Sequence, residues 1–86
     1  MPKTSSGFEF EILPGAFDDW ELIELLAEVG EGNGLKLPAV LKKLIGEEGT
    51  KALKEHCRAD GRVTIKAMDA ELTEIIKSAG EAKKKN

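Results

Sequence analysis

One cysteine, one histidine, one tryptophan and no tyrosine occur in the 86 residues of this chain. A lone thiol, Cys57, excludes an internal disulfide and points to a reduced, cytoplasmic setting. The N-terminus lacks the basic start and apolar run of a signal peptide. Charged or polar residues interrupt every apolar segment well short of a membrane span, so a soluble chain with no membrane partner is expected. His56 and Cys57 are neighbours, but adjacent helix positions point about 100° apart, and no second histidine or cysteine completes a metal site or a nucleophile with its base. Both are expected to face the core.

Positive charge is missing from a whole stretch. Between Phe8 and Leu35 lie eight carboxylates and no lysine or arginine, whereas Lys36 to Asn86 carries twelve bases and eight acids, within a formal net charge of −3. Such a field repels nucleic acid from the first half and steers basic partners, or copies of the chain itself, head to tail. Lys51, Lys54 and Arg58 share one side of a helix, as a DNA-reading helix would require. The acidic first half opposes docking on phosphates, and no nucleic-acid partner is expected.

What is present suits a small folded body: 41 per cent hydrophobic and 34 per cent charged residues is globular composition with a charged surface. A chain of this size buries only about 60 to 65 per cent of its unfolded surface, so the core is thin. Residues 1–7 are polar and read as a flexible lead-in, 8–80 as a single helical domain and 81–86 as a basic tail. Phe8, Phe10 and Ile12 alternate with Glu9 and Glu11, the period of a half-buried strand or extended arm, which Pro14 and Gly15 end. With no evident strand to pair with, this arm is a candidate for self-association through Phe8, Phe10 and Ile12.

Asp18 or Asp19 can cap a first helix running to about Val29. On it Glu21, Glu24, Glu28 and Glu31 recur at spacings of three and four and form one solvated stripe. Leu22, Ile23, Leu25, Leu26, Ala27 and Val29 fill most of the remaining girth, more apolar surface than one thin core consumes. Leu22, Leu25, Leu26 and Val29 are therefore assigned to apolar contact with a partner, with the four glutamates as its solubilising rim, and Trp20 is assigned to the core. After a glycine-rich break, Leu37, Val40, Leu41, Leu44 and Ile45 mark a second helix with Pro38 in its first turn. Ala52, Leu53, His56 and Cys57 mark a third, ending near Ala59. Asp60-Gly61 is a turn, Thr64 a cap, and Met68, Leu72, Ile75, Ile76 and Ala79 the face of a last helix closed by Gly80. The expected fold is all-α, a small bundle of about four short helices with an N-terminal extended arm or short strand.

No catalytic motif survives inspection, and no cofactor or metal is expected. Carboxylate pairs such as Asp18 with Asp19 and Glu47 with Glu48 sit where helix capping explains them. Asp60-Gly61-Arg62-Val63 imitates the middle of a calcium loop, but the register places His56, Arg58 and Ala67 where oxygen ligands belong. The glycines from Gly30 to Gly34 lack the lysine of a phosphate loop.

The blocks Phe8-Glu9-Phe10-Glu11-Ile12, Asp18-Asp19-Trp20-Glu21-Leu22-Ile23-Glu24-Leu25-Leu26-Ala27-Glu28, Leu37-Pro38-Ala39-Val40-Leu41-Lys42-Lys43-Leu44-Ile45-Gly46, Leu53-Lys54-Glu55-His56 and Asp60-Gly61-Arg62-Val63 together resemble the tail assembly chaperones of long-tailed bacteriophages and related prophages. The likeness runs from about Phe8 to Gly80. It implies a small helical, non-catalytic protein that coats the aggregation-prone tape measure protein in the cytoplasm of the bacterial host. Such a protein helps recruit major tail tube subunits and is absent from the mature virion. It implies further that the Lys83-Lys84-Lys85-Asn86 end is a site of ribosomal slippage to a longer product, beside the plainer reading of a solvated tail. Other copies of the chain are candidate partners. The rival readings are a small acidic inhibitor or DNA mimic of phage origin, and a structural subunit of a larger assembly.

Overall fold

The computed structural model describes residues 2–84. Most of them are helical, and the chain divides into two compact units, Ile12–Thr50 and the pair of segments Met1–Glu11 and Lys51–Asn86.

In the first unit Asp19 begins helix α1 (Trp20–Gly30). Its Oδ1 accepts from the backbone N of Glu21 at 2.9 Å and of Leu22 at 3.3 Å, two of the amides a helix start leaves unpaired. Asp18 belongs instead to the short 3-10 turn before it. At the other end Glu31 N returns to Ala27 and Glu28 carbonyls, and Gly32 takes a φ of 100°, the left-handed conformation that ends many helices. Helix α2 (Leu37–Cys57) follows, broken inside by Gly46 at φ 80° and ψ 174°. That conformation is open essentially to glycine alone. The break interrupts the hydrogen-bond ladder, and the Leu44 carbonyl accepts from Leu13 N at 2.8 Å while Thr50 Oγ1 donates to the Gly46 carbonyl at 2.7 Å. Buried apolar side chains of this unit are Ala16, Leu22, Val40, Leu41, Leu44 and Ile45. The last four follow the helical spacing expected of Leu37 to Ile45.

In the second unit Arg58–Ala59 (β1) and Arg62–Val63 (β2) pair antiparallel, Arg58 opposite Val63 and Ala59 opposite Arg62. Asp60 and Gly61 join them with φ of 52° and 77°. Positive φ at both central residues is what a tight hairpin turn with the strands' own twist demands, and Asp-Gly satisfies it best. Helix α3 (Ile65–Lys84) starts at Thr64, whose Oγ1 accepts from Ala67 N at 3.1 Å. Its buried residues Leu72 and Ile75 join Phe8, Phe10 and Leu53 as the apolar interior of this unit.

Three expectations about elements change. The fold is mostly rather than wholly helical, because the Asp-Gly turn pairs its flanks into a hairpin. Among the described residues the α-helices number three rather than about four, because the expected second and third helices run on as α2, two helical stretches that meet at the non-helical Gly46. Gly80 does not close the last helix, which runs on to Lys84, while Lys85 and Asn86 lie outside the described residues.

Candidate functional site

The N-terminal arm closes on itself. Lys3 bridges Glu9 antiparallel, Phe10 N donates to the Pro2 carbonyl at 3.1 Å, and Thr4 N to the Phe8 carbonyl at 2.9 Å, with Gly7 at φ 94° in the bend. Phe8 and Phe10, read as self-association residues, are 7 and 4 per cent exposed, and Ile12 is half-buried. The partner sought for this strand is its own first residues, and its apolar side chains are spent within the fold.

The same lead-in carries a polar cluster that sequence reading missed. Glu71, 6 per cent exposed, accepts from Thr4 Oγ1 at 2.7 Å on one carboxylate oxygen and from Ser6 Oγ at 2.8 Å on the other. Ser5 donates to Glu74 from both its backbone N and its hydroxyl, each at 2.8 Å. His56 Nε2 lies 2.9 Å from Ser6 Oγ, with its ring stacked obliquely on Phe8 at 5.3 Å between centroids. Serine, histidine and glutamate thus meet: the Ser6 hydroxyl donates to Glu71, and the sense of its contact with His56 Nε2 follows the imidazole tautomer. His56 is exposed rather than core-facing, because its partners Ser6 and Phe8 lie some fifty positions away, beyond the reach of local pattern. Cys57 is half-buried, and that burial, with the Glu71 charge nearby, pushes its thiol above the usual range.

In the first unit an open groove of about 620 Å³ is lined by Glu21, Glu24, Leu25, Ala27 and Glu28 of α1 and by Lys43 of α2. The helical period places Leu22, Leu25, Leu26 and Val29 on one side of α1 and the glutamates on the other. Leu22 has no exposed surface, and Leu25, Leu26 and Val29 are half-buried. Leu22 therefore leaves the set assigned to a partner, since the interior of its own chain encloses it. Leu25 stays, at the edge where that interior opens into the groove. Trp20 is corrected in the opposite sense: it is 73 per cent exposed, with Ile23 at 45 per cent. The apolar run Leu22 to Val29 sets the buried side, and Trp20 falls outside it.

Lys43 Nζ sits 2.9 Å from Asp19 Oδ2 and 3.5 Å from Glu21 Oε1. The hydrogen bond from Lys43 holds the Asp19 carboxyl below the usual carboxylate range and, reciprocally, raises the lysine. The one cation lining the groove is thus engaged, while Glu24 and Glu28 have no ion-pair partner among the described residues. Among those residues no group of three or more His, Cys, Asp or Glu side chains is placed to hold a metal ion. No helix among them is long and apolar enough to cross a membrane. Comparison with protein-family models, with curated proteins and with solved structures gives no match to this chain.

Proposed function

We propose that this chain is a non-catalytic tail assembly chaperone of a long-tailed bacteriophage or prophage. It lays the acid-edged side of α1 along an apolar helical seam of the tape measure protein and keeps that protein soluble in the bacterial cytoplasm. It helps bring tail tube subunits to the complex and leaves before the virion is complete.

The groove of α1 carries the reading. Leu25 and Ala27 offer apolar surface in an open channel edged by Glu21, Glu24 and Glu28, the chemistry for covering a seam while leaving a charged exterior. The resemblance of the helical blocks to tail assembly chaperones supplies the identity of the client. A second reading, an acidic inhibitor of a basic site, draws on the absence of any base in α1.

Co-expression with the tape measure protein of the same genome tests the first against the second. At about half-molar salt, where charges are screened within about 4 Å, a chaperone holding its client through apolar contact keeps it soluble and co-purifies. Leu25→Ser weakens that complex. A client that precipitates, or a complex that salt dissolves and Leu25→Ser leaves intact, favours the inhibitor. Leu22 is unsuitable as a probe, because replacing this enclosed side chain destabilises the unit that presents the groove.

A further inference from the structure

Leu13, Trp20, Ile23, Leu35 and Ile65 are large apolar side chains that stay exposed, and Trp20 with Ile23 on the one hand and Ile65 on the other sit in surroundings of opposite charge. On α1, Trp20 and Ile23 lie three positions apart on one side of the helix, with Glu24 one turn beyond Trp20 on that side and Glu31 capping the far end, and α1 carries no base. In the other unit Ile65, 79 per cent exposed, opens α3 between Arg62 and Lys66. Both cations are exposed, and among the described residues neither makes an ion pair. The start of a helix of this length adds positive partial charge at the same place. The units differ in the same sense: Ile12–Thr50 holds eight acids and three bases, and the rest of the chain eight acids and ten bases. Asp60 and Asp69 belong to the Ile65 neighbourhood in sequence, so attraction there is short-ranged and set by Arg62 and Lys66.

We propose that copies of this chain associate head to tail, the Ile65 corner of one docking on the Trp20 and Ile23 side of α1 in the next, with Arg62 and Lys66 against Glu24 and Glu31. Each chain carries both halves of the contact, one apolar with an acidic edge and one apolar with a basic edge. A second copy therefore supplies the complement in apolar surface and in sign. Because the two halves are different surfaces, the contact is heterologous and leaves a free half at each end, which propagates into a row or closes into a ring. It is a small contact, in the class of weak and reversible interfaces. The proposed contact shares Glu24 with the edge of the client groove, whereas its other half, Arg62, Ile65 and Lys66, belongs to the other unit.

Trp20, the sole tryptophan, is a built-in reporter. As the purified chain is concentrated from about 10 µM to about 1 mM, a range that spans weak association, its emission is expected to move to shorter wavelength while the sedimentation-average mass rises. About half-molar salt weakens both changes. The paired substitutions Arg62→Glu with Lys66→Glu, and Glu24→Lys with Glu31→Lys, each abolish association. Mixing the two variants restores it, because each then meets an opposite charge, and this restoration also shows that both variants fold. A wild-type chain that stays monomeric across the range overturns the proposal, as does association that both variants retain or a mixture that stays monomeric. A Trp20 shift that appears only on adding the client also overturns it, assigning that side of α1 to the client.

Discussion

Leu22 and Trp20 stand two positions apart on α1 and exchange the roles their side chains suggest. Leu22→Ala is expected to cost about 2 to 5 kcal/mol in urea unfolding, since it empties space in a closed interior. Trp20→Ala is expected to stay within about 0.5 kcal/mol in the monomer, as surface substitutions do. Asp19 is the residue whose charge state matters for pH. Its folded-state pKa is depressed, chiefly by the hydrogen bond from Lys43. The resulting stabilisation is present above the unfolded-chain value near pH 4 and is lost as pH falls through the depressed folded-state value. Asp19→Asn keeps a capping side chain but removes the pair. The stability gap between wild type and variant should therefore be open at neutral pH and close on the acid side, measured by urea unfolding from pH 7 downward. A gap that stays constant with pH would remove the ion pair from the account.

At the scale of elements, the break in α2 and the anchored N-terminal loop carry the testable consequences. Gly46→Ala places a Cβ at a positive φ with extended ψ, and its nearest neighbours are Leu13 side-chain atoms at 3.6 Å, an ordinary contact. Strain of the backbone and not collision sets the cost, about 1 to 3 kcal/mol, read from the unfolding midpoint. Thr4→Val deletes one of the two hydroxyls on the buried Glu71, at an expected cost of about 1 to 3 kcal/mol. Sequence pattern showed the helix of Leu37 to Ile45 because four apolar positions repeat at helical spacing, and it showed the turn at Asp60-Gly61 because the dipeptide is nearly specific to one geometry. It missed the hydroxyl anchors of Thr4, Ser5 and Ser6 because their carboxylates stand more than sixty positions away.

For the molecule as a whole, the uneven charge predicts two responses to salt. Self-association through Arg62 and Lys66 against Glu24 and Glu31 should fall as salt rises to about half-molar, because exposed pairs are screened at that strength. Capture of a client through Leu25 and Ala27 should persist, because apolar burial is not screened. Sedimentation of the chain alone and co-purification with the client, run over one salt series, separate the two responses. A common salt dependence would mean that one charged surface serves both.

The sequence by itself determined the mainly helical character, the acidic stripe of α1, a carboxylate cap at Asp18 or Asp19 and the opposed charge of the two halves. Each follows from spacing or composition within a few turns of chain. Only the tertiary structure decided that Leu22 is enclosed while Trp20 is exposed, that Phe8 and Phe10 are spent within the fold, and that His56 meets Ser6. A helix with apolar residues around most of its girth has several sides it could bury, and hydrophobicity alone does not rank them. The choice falls to the neighbours that pack against it, and those come from distant parts of the chain.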